Sequence, residues 1–259
     1  MRFACAVEYD GSGFSGWQRQ SHARSVQAHI EAALAKVADH PVQTACAGRT
    51  DAGVHATWQV IHFETHAERS ERSWMLGTNS NLPEDVRLLS ITPVADEFHA
   101  RFSAQARRYR YVILNRPVAS ALLRQRVTWT HQPLDAGRVS AAAAYLLGEH
   151  DFSSFRAVAC QAKSPVKTVH RLDVTRSGDF LYLDVEANAF LHHMVRNIAG
   201  VLMAVGRGER EPDWVGDVLD ARDRTQGGVT APADGLYLVG VRYPQSHGIA
   251  PLGVLPEFG

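Results

Sequence analysis

A chain of 259 residues with 45% hydrophobic side chains can bury a sizeable core, as one large domain or two modest ones, which excludes disorder as its default state. Its 27 basic and 27 acidic side chains cancel, so no overall positive field announces a nucleic-acid partner. Cys5, Cys46 and Cys160 are few, odd in number and far apart, which supports neither a disulfide framework nor a paired-cysteine zinc site; reduced thiols are expected.

The apolar stretch Phe3 to Val7 is interrupted by Glu8 and Asp10, far short of a secretion signal or a membrane span, so a cytoplasmic location without membrane contact is expected. Phe3 to Tyr9 alternates as an opening strand and is followed by a glycine-punctuated loop, Gly11 to Gly16. Ser25 stands where a helix would be capped. Val26, Ile30, Ala33, Leu34 and Val37 then recur at helical spacing until Pro41. Val42 to Ala47 and Thr57 to Phe63 read as strands around a polar loop, Gly48 to Ala56.

Next come a short helix around Glu71 to Thr78, a strand at Val86 to Ile91 and a strongly alternating strand at Arg107 to Leu114. Asp135 opens an alanine-rich helix to Leu147. Val169 to Val174 and Phe180 to Glu186 form a hairpin around Ser177-Gly178-Asp179, and Phe190 to Val205 carries a continuous helical stripe. A last helix and the strand Leu236 to Tyr243 close the pattern. The order strand, helix, strand, strand, helix, strand occurs roughly twice, which predicts an α+β fold of two similar mixed α/β halves, 1–106 and 107–244, followed by a tail, 245–259. A cleft between halves is the natural place for a site.

Gly11-Ser-Gly13-Phe-Ser-Gly16 matches the spacing of a dinucleotide fingerprint, but the context fails. In that fingerprint the last glycine opens a helix, whereas here the helix begins only near Ser25. The segment Ala47-Gly48-Arg49-Thr50-Asp51-Ala52-Gly53-Val54-His55-Ala56 sets a base, an acid and two glycines between apolar strands. A carboxylate beside a guanidinium stays ionised and can act as a nucleophile. A turn in which Asp51 bonds its own backbone and Arg49 is solvated fits the same spacing, and the spacing does not separate the two.

GRTDAGVHA resembles the catalytic signature of the TruA-type tRNA pseudouridine synthases. Further segments resemble that family in order: EYDGSGFSGWQRQ from Glu8, SVQ from Ser25, NLP from Asn81, FHARFSA from Phe98, RRYRY from Arg107, DFSSFR from Asp151, ANAFLHHMVRN from Ala187 and GLYL from Gly235. The resemblance implies a pseudouridine synthase fold, two related halves with antiparallel sheets flanking a central catalytic cleft. It implies a homodimer with no metal or organic cofactor. It also implies isomerisation of uridine to pseudouridine in the tRNA anticodon stem-loop, at positions 38, 39 and 40. By position, Asp51 is the nucleophile, attacking either the ribose anomeric carbon or uracil C6. Arg49 fills the space of the everted base, Arg196 pairs with Asp51, Tyr109 stacks on the uracil, and Leu236 packs beneath that ring.

Read without the resemblance, Tyr109 shares a strand face with Tyr111 and Ile113 and fills a core. His55 either touches RNA or holds its loop. Arg19, Arg101, Arg107, Arg108 and Arg110 are candidate phosphate contacts, because positioning on RNA depends on backbone charge; solvated surface is the alternative. Only Lys36, Lys163 and Lys167 are lysines, so arginine dominates the basic set. His192 and His193 are adjacent and would point apart on a helix, so no metal site is expected. Two features depart from the family pattern: a bulky Trp58 after the signature, and the tail from Gln245, expected to be disordered. A non-catalytic tRNA-binding protein and a carboxylate-dependent nucleoside hydrolase are the competing classes.

Overall fold

The computed structural model describes residues 1–258. Two compact units emerge, Met1–Arg107 with Tyr237–Leu255, and Arg108–Leu236 with the residues from Pro256. The elements run β1 (Arg2–Tyr9), α1 (Val26–Ala38), β2 (Thr44–Cys46), β3 (His55–Glu64), α2 (Glu71–Asn81) and β4 (Val86–Val94). They continue as β5 (Ala106–Asn115), β6 (Thr128–Thr130), α3 (Ala136–Ala143), β7 (Gly148–Asp151), β8 (Val166–Ser177), β9 (Phe180–Ala187), α4 (Met194–Gly206), α5 (Trp214–Ala221) and β10 (Leu236–Arg242). Among the described residues no helix is long and apolar enough to cross a membrane.

In the first unit the strand order is β4-β1-β3-β10, with β2 also on β3. β1 is antiparallel to both neighbours, whereas β10 joins β3 in parallel, pairing Tyr237 with His55 and Leu238 with Ala56. β1 is buried on both faces because each has its own cover. Phe3 stacks on its cross-strand partner Phe63 at 5.6 Å, and both rings meet Trp74 of α2. On the opposite side Ala4, Val60, Phe98, Val241 and Tyr243 form a second cluster. Full burial of each such aromatic or branched chain contributes roughly 1.5–3 kcal/mol.

Helix α1 starts where the sequence predicts, but Ser25 makes no side-chain cap bond. Its first donors go elsewhere: Val26 N–H donates to Gly16 O at 3.3 Å and Gln27 N–H to Trp17 O at 3.0 Å. The glycine loop itself caps the helix, satisfying donors that helix ends leave open.

In the second unit the order is β5-β9-β8-β7, with β6 parallel to β5. The expected hairpin is β8 and β9, turning at Gly178, which has φ +52°. Asp135 caps α3 by accepting from Arg138 N–H at 3.0 Å, but the helix stops at Ala143 and a 3₁₀ turn, Ala144–Leu146, completes the predicted span. The long stripe from Phe190 also shortens. α4 begins at Met194 because His193 is left-handed, φ 63°, and Met194 N–H closes a turn onto Leu191 O at 3.0 Å. Consequently His192 and His193 do not point apart; their rings lie 4.1 Å from each other.

The tail folds back in two steps. Leu252 bridges to Gly240, and Trp58 donates from Nε1 to Ala250 O at 2.9 Å, which seats the bulky indole beneath the tail. Further on, Phe258 N–H donates to Tyr182 Oη at 2.9 Å in the second unit.

His62 is buried on β3 and its Nδ1 accepts from Ala100 N–H at 3.1 Å. Burial, then the neighbouring His99 and Arg2, push its imidazole down from 6.5 to about 4. Between those values the unfolded chain binds the proton and the fold does not, so this contribution is complete above pH 6.5 and is lost as pH falls towards 4. Urea unfolding across that range is expected to show falling stability with acid. His62→Gln, which keeps an acceptor, is expected to flatten that slope.

Candidate active site

The segment 47–54 that carries Arg49 and Asp51 is fixed at both ends. Ala47 N–H donates to Val60 O at 2.8 Å, and Arg107 donates from Nη2 to Ala47 O at 3.0 Å. Gly48 is matched by the amide of Gln59, a residue with 0% exposure, whose Nε2 donates to Gly48 O at 2.5 Å while Oε1 accepts from Gly48 N–H at 3.4 Å.

The centre of the segment is held by the glycine loop. Trp17 N–H donates to Thr50 O at 3.0 Å, Gly53 N–H donates to Phe14 O at 3.3 Å, and Thr50 Oγ1 lies 2.8 Å from Tyr9 Oη. Val54 N–H donates to Asp51 O at 3.2 Å, closing a turn with Gly53 at φ +79°, the conformation that a third-position glycine supplies. Asp51 is half-buried and Arg49 exposed.

The fingerprint-like glycines have a different use from phosphate binding. A Cβ on Gly11 would overlap the Val54 carbonyl, and one on Gly16, where φ is +99°, would lie 2.8 Å from Thr50 O. They let two backbones touch. A third support comes from Arg24, whose guanidinium lies 4.0 Å from the Phe14 ring centroid and grips Asp85 at 2.7 and 2.9 Å; Asp10 N–H donates to Asp85 O at 3.0 Å. Sequence reasoning missed Arg24, Asp85 and Gln59, since each acts through a partner remote in the chain.

His55 opens β3 with 2% exposure. Its Nδ1 accepts from Gly11 N–H at 3.0 Å, with Asp10 Oδ1 at 3.2 Å, and its ring stacks on Tyr237 at 4.7 Å. Of the two roles open for it, the geometry gives loop support. Arg19 is exposed and pairs with buried Glu31 at 2.5 Å. Arg107 is turned inward, onto Ala47 O and the carbonyls of Ala104 and Arg101.

In the second unit Tyr109 lies on β5 with 7% exposure, its ring edge-on to Phe190 at 5.1 Å. Arg196, in the first turn of α4, exchanges two bonds with Ala231: Nε donates to Ala231 O at 2.8 Å, and Ala231 N–H donates to Arg196 O at 3.1 Å. A Cβ on Gly200 would overlap the Val229 carbonyl, so this glycine lets the segment lie on the helix. Buried Asn197 ties into it through Thr230 and Arg224. Leu236 is buried beside Gly235, whose missing side chain admits Val112 O.

Arg108 and Arg110 converge on buried Asp184. Arg110 is 6% exposed and donates to it from Nε and Nη2 at 3.1 and 2.7 Å, while Arg108 Nη2 is 3.5 Å away. A phosphate would have to break the Arg110 pair to reach its guanidinium, so the expectation of a phosphate contact gives way there to a structural ion pair. The same holds for Arg107, whose donors serve backbone carbonyls.

The first unit presents one carboxylate on a turn fixed by backbone bonds; the second holds an aromatic ring, Tyr109, and a guanidinium, Arg196, anchored on Ala231. A carboxylate held in this way can serve as a nucleophile. A family model described as tRNA pseudouridine synthase matches residues 5–103 and 142–244. The relative from Methylococcus capsulatus, named tRNA pseudouridine synthase A, is 61% identical over 250 residues, covering 96% of this chain and 92% of its own. Similarly named proteins from Nitrosococcus oceani and Alcanivorax borkumensis are 60% and 56% identical, covering 94% and 98% of this chain and 94% and 96% of theirs. The chain belongs to the tRNA pseudouridine synthase family and is an isomerase of that class.

Gly16→Ala adds a Cβ at a positive φ against backbone that cannot give way, at a cost of about 1–3 kcal/mol in strain or a displaced loop. Turnover is expected to fall about 10²-fold, the effect of roughly 1 Å of misplacement, with helix content by circular dichroism retained. Gly13→Ala meets only side-chain ends, Arg24 at 2.9 Å and Asp85 at 3.7 Å, and is expected to stay within a few-fold of wild type.

Proposed function

We propose that this chain isomerises uridine to pseudouridine in the anticodon stem-loop of tRNAs, at positions 38, 39 and 40, working as a cytoplasmic homodimer. Asp51 is the nucleophile. Family membership across most of the chain supports the reaction. The observation that carries the residue assignment is the turn at Asp51, held by Gly53 and by the 11–17 loop through backbone bonds. A turn so heavily fixed around one half-buried carboxylate is what a nucleophile needs, since catalytic geometry tolerates little drift.

In the isomerisation the N1–C1′ bond breaks, the base turns, a C5–C1′ bond forms, C5 loses its proton and N1 gains one. A carboxylate that bonds and releases the substrate, at C1′ or at C6, serves both halves of that exchange. Tyr109 stacks on the uracil and Leu236 supports the ring, while Arg196 supplies the cationic counterpart of the nucleophile. Arg49, exposed on the same turn, occupies the stack from which the base is everted. Arg19 and Arg101, both exposed, are the proposed phosphate contacts, suited to reading RNA by shape.

Loss of the C5 proton gives a direct assay. Purified protein mixed with unmodified tRNA carrying tritium at uracil C5 is expected to release tritium to water. Transcripts with cytidine at 38, 39 and 40 are expected to release none. Release undiminished by those replacements would place the target elsewhere, and no release from any tRNA would remove the assignment. Free uracil among the products would identify a hydrolase instead.

A further inference from the structure

A second concavity lies in the unit that carries Arg196. It measures about 610 Å³ and is lined by α4 at Gly200, Met203 and Ala204, by Trp214 at the start of α5, and by the segment 225–232. That volume is in the range of small-ligand sites and too small for a folded partner. Its lining is mixed. Small residues form the floor, Trp214 offers a half-buried indole, and Thr225 and Gln226 supply polar groups.

Two arginines border it, with different commitments. Arg207 is closed on Glu209 by contacts of 2.5 and 3.0 Å. The guanidinium of Arg210 sits over the Trp214 ring, 5.3 Å from its centroid. Glu209, which lines the cavity, is held below the usual carboxylate range by its bonds to Arg207 and by the nearby charges of Arg207 and Arg210. Two cations therefore face one acid here, next to an aromatic surface. An aromatic face with an adjacent arginine is how proteins take one unpaired nucleotide, the ring stacking on the base and the guanidinium meeting the phosphate.

We propose that this cavity is an accessory site for one unpaired nucleotide, with its base against Trp214 and its phosphate at Arg210. The proposal rests on RNA being the substrate and assigns a place for a residue of that RNA other than the reacting uridine. The wall of the cavity is also the segment that holds Arg196: Val229 lies on Gly200, Arg224 donates to Gly228 O at 3.0 Å and to Thr230 Oγ1 at 2.9 Å, and Ala231 exchanges both bonds with Arg196. That wall is stiff, so an occupant binds a preformed surface and contributes to RNA affinity.

Wild type, Trp214→Leu, Trp214→Phe and Arg210→Gln are compared on one tRNA transcript by steady-state pseudouridine formation, with thermal melting as the check on folding. Formation by wild type tests the substrate reading separately. Trp214→Leu and Arg210→Gln are expected to raise KM about tenfold, the size of one base–aromatic stack, with kcat within about twofold. Trp214→Phe, which keeps a ring, is expected to restore most of the affinity. KM within twofold of wild type in both Leu and Gln variants overturns the proposal, as does a change of oligomeric state in Trp214→Leu by sedimentation, which would make the cavity a protein contact.

Uridine monophosphate, titrated against the intrinsic fluorescence of wild type and of Trp214→Phe, distinguishes the source. Quenching that tRNA competes away identifies a nucleotide of the RNA. Quenching that persists with tRNA bound identifies a free nucleotide. Absence of Trp214-dependent quenching up to millimolar nucleotide counts against the site.

Discussion

The turn that carries Asp51 depends on one close approach, that of the 11–17 backbone to residues 50–54. Nothing larger than hydrogen fits at Gly11 or Gly16 without striking Val54 O or Thr50 O. Two backbone hydrogen bonds and the Tyr9–Thr50 hydroxyl contact then fix the register. Every other support is attached to that contact. α1 starts from the carbonyls of Gly16 and Trp17, Arg24 and Asp85 brace the loop from outside, and His55 accepts from Gly11 N–H beneath it. The backbone at Asp51 is fixed by other backbone, which has few ways to relax, and the proposed nucleophilic role calls for preorganisation of this form.

The second unit uses the same device. Gly200 and Gly235 let strands and segments lie directly on a neighbouring backbone, the first under Val229 and the second against Val112. Arg196 is thereby held through Ala231 on both its backbone and its side chain. Arginine serves as mortar in both units. Arg24, Arg107, Arg110 and Arg224 direct their guanidiniums at carboxylates, amides or carbonyls of the chain itself. A basic set so heavily engaged within the protein reconciles the neutral formal charge with a tRNA substrate: most of these arginines hold the fold, and the proposed phosphate contacts fall to the few that face outward.

The order of elements was legible because hydrophobic period is local. β1, α1, β3, β5, the β8–β9 hairpin and β10 all lie within a few residues of where alternation or helical spacing puts them. What periodicity does not register is the sign of a dihedral angle or a partner far along the chain. The apolar stripe continues from Phe190 into α4, yet His193 is left-handed and starts the helix four residues late. Ser25 has the right residue type for a cap, but donors at that helix end go to the glycine loop instead. The signature around Asp51 was readable as a motif, whereas Arg24–Asp85 and Arg110–Asp184, separated by 61 and 74 residues, were not. The Gly11–Gly16 spacing was visible without its purpose, because the backbone it accommodates lies some forty residues onward.

Whether Asp51 is the nucleophile is tested by a single-turnover reaction with Asp51→Asn in excess over tRNA, alongside tRNA binding by the same protein. The substitution keeps the shape of the side chain and removes its nucleophilic charge. Binding within a few-fold of wild type and no pseudouridine above background over hours are expected. Pseudouridine formed at an undiminished rate by this variant would contradict that role, since the tightly held turn would then be presenting a residue that the chemistry does not use.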